Sequence, residues 1–158
     1  MAKLSIHPDN QGLAIVGRVI GPSGAEGNEF QINTFTPEDQ TRPYLAMEPN
    51  WGGILAAWQS QGSAGDDDSG SSIQARRLAP DATPEGADFQ VNTMIDGDQY
   101  QPWVVPHPSS RDFIILWRDP ARILAADIKG QITFFADGFE TGDTSAWTTV
   151  PSLVFRNQ

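Results

Sequence analysis

The chain has no cysteine among its 158 residues. This absence excludes disulfides, thiolate chemistry, and zinc or iron–sulfur sites with cysteine ligands. Long apolar runs are also missing, since no segment approaches the ~20 residues that a membrane-spanning helix needs. The first residues, MAKLSIHPDNQG, lack the hydrophobic core of a secretion signal. If the natural protein is secreted, we expect its signal upstream of this sequence.

Positive charge is scarce, with 10 Lys and Arg residues against 20 Asp and Glu and a net charge of -10. Such a surface repels the phosphates of nucleic acids, so we expect no nucleic-acid partner. Acidity favours solubility, and it would also suit cation binding. The 15 glycines and 12 prolines exceed the usual content and favour many short strands joined by turns.

Two stretches of the sequence are alike at a separation of 59 residues. EFQINTFTPEDQTRPYLAMEPNWGGILAAWQS, residues 29–60, aligns with DFQVNTMIDGDQYQPWVVPHPSSRDFIILWRD, residues 88–119. Upstream, VGRVIGP aligns with QARRLAP at an offset of 58. A fixed period of this size indicates a repeat architecture, with copies at about 13–60 and 72–119.

Apolar residues alternate with a period of two in each copy, which is typical of strands. We predict four strands in one complete set: Tyr44–Met47, Gly53–Gln59, Ser72–Leu78 and Asp88–Asn92. Partial sets are expected at 13–20, 29–33, 103–105 and 113–117. Residues 121–130 contain a helix-like pattern, but their place after Trp117 favours a strand. The fold class is therefore all-β, with two to three tandem, four-stranded antiparallel blades of propeller type over residues 1–134; a small β-sandwich is the alternative.

The motif FQ-[IV]-NT, then DQ, Pro, an aliphatic run ending in Trp, and I-x-A-R-R resembles tandem repeats of large bacterial secreted and surface proteins. The stretch FADGFETGDTSAW opens a separate C-terminal segment, residues 135–158. It resembles segments that begin a jelly-roll module or end the chain in secreted bacterial proteins. The resemblance implies β-propeller blades, a secreted or cell-surface location, and a non-catalytic role in adhesion or binding.

The number of blades has a consequence for partners. A closed propeller needs at least four blades, and an open stack leaves a strand edge and an apolar face exposed. We therefore expect either a piece of a longer protein or a homo-oligomer or filament that assembles through the blades.

Repeated residues supply the candidate core and ligand sites. Trp58 and Trp117 end equivalent strands, which favours packing between blades. Trp51 and Tyr100 lie near turns and are candidates for stacking on sugars, in pockets that Asp39 and Asp98 would also line. The two aspartates are also candidate metal ligands. The alternative is that both aromatics cap the sheets and that both aspartates hydrogen-bond the backbone of turns.

Two acidic clusters are candidates for Ca²⁺, which takes six to eight oxygen ligands. Asp66, Asp67 and Asp68 are adjacent in a glycine-flanked loop. Asp137, Glu140 and Asp143 recur at intervals of three in DGFETGD, the better candidate of the two. Otherwise both clusters are solvated turns.

No set of residues in the sequence predicts catalysis. The two histidines, His7 and His107, both precede proline, and HPSSRD (residues 107–112) is typical of a hairpin turn. We expect a non-enzymatic module for adhesion or structural self-assembly. A sugar-binding propeller lectin is the alternative, and a hydrolase on a propeller scaffold is a weaker one.

Overall fold

A computed structural model describes residues 2–8, 11–119 and 128–133. Within these ranges the chain is all-β, as predicted, and contains no helix long and apolar enough to cross a membrane. The strands are β1 (Ala2–Pro8), β2 (Leu13–Gly21), β3 (Gly24–Gln31), β4 (Gln40–Met47), β5 (Ile54–Gln61), β6 (Ser71–Leu78), β7 (Pro84–Gln90), β8 (Tyr100–Pro106), β9 (Phe113–Arg118) and β10 (Ile128–Thr133).

The strands form three antiparallel sheets in chain order. The first sheet is β1-β2-β3, the middle sheet is β4-β5-β6-β7, and the third sheet is β8-β9-β10. Each strand pairs with the strand that precedes or follows it in sequence, as expected for hairpins closed by short turns. Strands β8 and β4 lie against the sheets that precede them, so the three sheets are stacked.

Most of the predicted strands are present, with shifted bounds. The predicted fourth strand, Asp88–Asn92, is observed earlier, at Pro84–Gln90. Strand β1 was not predicted, because its sequence has no counterpart in the recognised copies. The strand expected over 121–130 is present from Ile128, and residues 120–127 lie outside the described part of the chain.

The repeat extends to irregularities of the backbone. The register shifts between Thr41 and Tyr44 in β4, and at the equivalent place between Tyr100 and Trp103 in β8. Both bulges contain a residue of positive φ followed by proline: Arg42 at 52° and Gln101 at 53°. Since proline cannot donate a ladder hydrogen bond, a bulge is where a strand tolerates it.

Two apolar clusters fill the spaces between the sheets. Strand β5 supplies both, because successive side chains of a strand point to opposite faces. Ile54, Ala56 and Trp58 join the cluster shared with the first sheet, whereas Leu55 and Ala57 join the cluster shared with the third. The middle sheet is thus buried on both faces.

The paired tryptophans are core residues, as predicted. Trp58 is 0% exposed and Trp117 is 8% exposed. Trp58 belongs to the cluster between the first and middle sheets, and Trp117 to the cluster between the middle and third. Each ring therefore faces the sheet that precedes its own.

Replacing either tryptophan by alanine should leave a large cavity between two sheets. We expect Trp58→Ala and Trp117→Ala each to lower the free energy of unfolding by ~3–5 kcal/mol in urea denaturation. Trp103→Ala is the matched control, because Trp103 is 50% exposed and should cost far less. Parent-like unfolding of either core variant would show that the sheets do not pack through these rings.

Candidate functional site

The residues that join one sheet to the next carry polar side chains that recur in both copies of the repeat. In the second linker, residues 91–98, Asn92 is buried and its Oδ1 accepts the backbone N–H of Ile73 at 2.8 Å. Its Nδ2 donates to Oε1 of Gln99 at 2.9 Å and to the carbonyl of Met94 at 2.9 Å. Asn92 thus connects β6 of the middle sheet to the residue that leads into β8 of the third.

The first linker, residues 32–39, repeats this arrangement. Asn33 Oδ1 accepts the N–H of Ile15 at 2.8 Å, and Asn33 Nδ2 donates to Gln40 Oε1 at 3.0 Å. Buried side-chain amides are costly unless they are hydrogen-bonded. We call the two sets, Asn33 with Gln40 and Asn92 with Gln99, the amide network. It explains why the motif NT…DQ occurs twice.

The predicted ligand residues Asp39 and Asp98 each bind the backbone at the first residue of a strand, β2 and β6 respectively. Oδ1 of Asp39 accepts the N–H of Leu13 at 3.0 Å, and Oδ1 of Asp98 accepts the N–H of Ser71 at 2.9 Å. Gly70 allows this approach, since a Cβ there would lie 2.6 Å from Asp98 Oδ1. Both carboxylates therefore bind the backbone across a sheet junction, as in the turn-stabilising interpretation.

Tyr100 forms a hydrogen bond at the same sheet junction. Its hydroxyl donates to Asp98 Oδ2 at 2.7 Å. This hydrogen bond, followed by that from Ser71 N–H, holds the pKa of Asp98 below its ordinary value of 3.8, against the effect of burial. The same bond raises the pKa of Tyr100 above 10.0. The polar end of Tyr100 is thus occupied within the chain.

The Asp66–Asp68 loop does not form a simple solvated cluster. Asp67 is fully buried, and its Oδ2 accepts the Asn92 amide at 2.6 Å, whereas Asp66 and Asp68 are exposed. Among the residues that the structure describes, no three His, Cys, Asp or Glu side chains are grouped to hold a metal. Asp137, Glu140 and Asp143 lie outside those residues, and calcium binding there stays a prediction.

The HPSSRD turn connects β8 and β9. Ser110 Oγ donates to Asp112 Oδ2 at 2.6 Å, while His107 Nδ1 accepts the N–H of Ser109 at 3.4 Å. The hydroxyl of Ser110 is therefore bonded to a carboxylate and not to the imidazole of His107.

Trp51 lies in a groove of about 480 Å³ between the middle and third sheets. The groove is at the end of the stack that carries the β4–β5, β6–β7 and β8–β9 turns. Its aromatic and charged lining consists of Glu48, Trp51, Arg77, Glu85, Arg111 and Phe113. The Cζ of Arg111 lies 5.1 Å from the centroid of the Trp51 ring, and that of Arg77 lies 5.9 Å from the Phe113 ring. Of these residues, only Trp51 was a sequence-predicted site residue.

The turn that carries Trp51 is held by the buried side chain of Glu48. Its carboxylate accepts the N–H of Trp51 at 2.5 Å and the N–H of Asn50 at 3.0 Å. Burial raises the pKa of Glu48, but the hydrogen bonds from Asn50 and Trp51 outweigh this and hold it below its ordinary value of 4.5. The backbone of Trp51 is thereby fixed, while 48% of the residue's surface remains exposed.

Comparison with family models, with curated proteins and with solved structures returns no match for this chain. The geometry of the described residues offers two candidate sites. One is the pair of sheet junctions built on the amide network. The other is the groove beside Trp51.

The Asp98–Tyr100 bond should appear in the pH dependence of stability. Asp98 has a lower pKa in the folded chain, so its contribution is present above the unfolded value of 3.8 and is lost as the pH falls through the folded pKa. Tyr100 has a raised pKa, so its contribution is present below 10.0 and is lost as the pH rises through the folded pKa.

We expect Tyr100→Phe to lower stability between these limits and to matter less at about pH 2.5, in urea denaturation at each pH. Tyr44→Phe is the control, because Tyr44 is the only other tyrosine and lies on an exposed position of β4. A Tyr100→Phe effect of equal size at every pH would show that the bond does not depend on an ionised Asp98.

Proposed function

We propose that the protein is a non-catalytic repeat module, acting outside the cell in adhesion or structural assembly, whose blade-like sheets associate with further copies of the chain. The observation that carries this proposal is an exposed apolar face on the third sheet. The extracellular setting rests on the sequence resemblance alone.

The exposed face is formed by β8 and β9. Trp103 is 50% exposed and Val105 is 43% exposed, and they pair across the strands with Leu116 and Ile114, which are half-buried. At the equivalent positions of the middle sheet, the repeat places Tyr44, Ala46, Leu55 and Ala57. The last three of these are buried in the cluster shared with the third sheet. The outer face of the third sheet is therefore equivalent to the face of the middle sheet that the third sheet covers.

Among the strands that the structure describes, none covers the first sheet at the opposite end of the stack. In the middle sheet, Arg76 Nη1 donates to the carbonyl of Ile32 at 2.6 Å, in the linker from the preceding sheet. Its repeat equivalent in the first sheet is Arg18. Arg76 Nε donates within its own sheet, to the carbonyl of Gly86 at 2.8 Å, so the contact that a preceding sheet would supply to Arg18 is the one equivalent to Nη1.

A single contact with a second copy of the chain would cover the Trp103 face of one molecule and the first sheet of the other. Its first sheet would lie on the Trp103 face, and Arg18 would gain acceptors from the neighbouring molecule. Such a contact is head to tail, so it closes into a ring or continues as a filament. In a ring, the stacked sheets would correspond to the blades of a propeller.

The proposal predicts that the face around Trp103 controls the mass of the protein in solution. We expect Trp103→Ser to shift the chain towards monomer in light scattering at matched concentrations. Trp51→Ser is the matched control, because its ring is similarly exposed at 48% but lies in the turn-end groove. A monomeric parent at high micromolar concentration, with a cooperative melt, would overturn the proposal.

Mixing two variants distinguishes head-to-tail contact from a symmetric dimer through the Trp103 face. We expect Trp103→Ser and Arg18→Glu each to lose self-association, and their equimolar mixture to form a dimer, because each variant keeps one intact end. In a symmetric contact, Arg18→Glu would associate like the parent and the mixture would gain nothing. That outcome would contradict the head-to-tail arrangement.

A further inference from the structure

The groove beside Trp51 has the chemistry of a ligand site that is separate from the association faces. We propose that it binds an uncharged pyranose sugar, with the ring of the sugar stacked on Trp51. A volume of about 480 Å³ lies within the range of small-molecule sites in proteins. The inference is independent of self-association, because no residue of the Trp103 face lines the groove.

The backbone of the turn that carries Trp51 is hydrogen-bonded before any ligand binds. The Glu48 carboxylate bonds the backbone of Asn50 and Trp51, and Gly52 N–H donates to the Glu48 carbonyl at 2.9 Å. Gly52 has a φ of +75° and packs so closely on Pro80 that a Cβ would lie 3.2 Å from the proline side chain. A turn backbone fixed in this way loses little conformational entropy when a ligand binds, which favours affinity.

The exposed part of the indole offers an apolar, electron-rich surface. The C–H groups of a pyranose ring carry a slight positive charge and match the negative face of an aromatic ring. The Cζ of Arg111 lies 5.1 Å from the centroid of the Trp51 ring, so the guanidinium covers one face of the indole and a sugar would stack on the other.

The charges around the groove favour a neutral ligand. Arg77 and Arg111 supply donors, and Glu48 and Glu85 supply an equal number of negative charges. Sugar hydroxyls both donate and accept hydrogen bonds, so they suit a mixed lining. The net charge of -10 on the whole chain disfavours a carboxylate-bearing sugar.

This site differs from the one that the sequence predicted. Asp39, Asp98 and Tyr100 do not line the groove, and their polar atoms bind within the sheet junctions. Only Trp51 is common to both. The new charged and aromatic members are Glu48, Arg77, Glu85, Arg111 and Phe113, which come from the β4–β5 turn, β6, β7, the β8–β9 turn and β9.

The test is an array of immobilised neutral and carboxylate-bearing glycans, probed with the labelled full-length chain. The neutral sugar that binds best is then titrated in solution as its methyl glycoside by calorimetry, which removes any avidity from self-association. We expect Trp51→Ala and Arg111→Gln each to weaken this binding about tenfold or more. Trp103→Ala and Arg42→Gln are the controls and should bind like the parent.

Absence of binding to every neutral glycan would overturn the inference. So would binding that Trp51→Ala leaves unchanged, or binding confined to carboxylate-bearing glycans. Light scattering on the same samples keeps the outcome distinct from that of self-association, since Trp51→Ala should retain the parent mass.

Discussion

The arrangement of the three sheets depends on a buried side-chain amide at each junction. The Oδ1 atoms of Asn33 and Asn92 accept a backbone N–H just after the preceding strand ends, as a ladder carbonyl would. The Nδ2 atom of each donates to a buried glutamine at the start of the next sheet. Because a buried amide that loses a partner is costly, each linker is confined to the conformation that satisfies it.

Stacking buries the apolar side chains that a single sheet would leave exposed. The middle sheet is apolar on both faces, and one sheet of this kind cannot bury its own surface. Within the described part of the chain, each inner face is covered by a neighbour, whereas no described strand covers the two outer faces, which carry Trp103 and Arg18. The junction chemistry and the proposed association are thus consequences of the same repeated sequence.

The sequence predicted the all-β class, most strand positions and the buried tryptophans, because these depend on local alternation and on identity between copies. It did not predict β1, whose sequence AKLSIHP has no partner in the repeat. It also placed Asp67 in a solvated or metal-binding loop, and the inward orientation of Asp67 depends on Asn92, 25 residues away. The groove was missed for a similar reason, since its charged residues converge from separate turns and strands that only the stacked fold brings together.

The central claim is that Asn92 and Gln99 act as one coupled pair at the sheet junction. A double-mutant cycle with Asn92→Ala, Gln99→Ala and the double variant, measured by urea denaturation, tests it most directly. We predict a coupling free energy of about 0.5–3 kcal/mol, as found for groups that share a hydrogen-bond network. Additive effects, with a coupling near zero, would contradict the account, because the linker would then be held by something other than the amide pair.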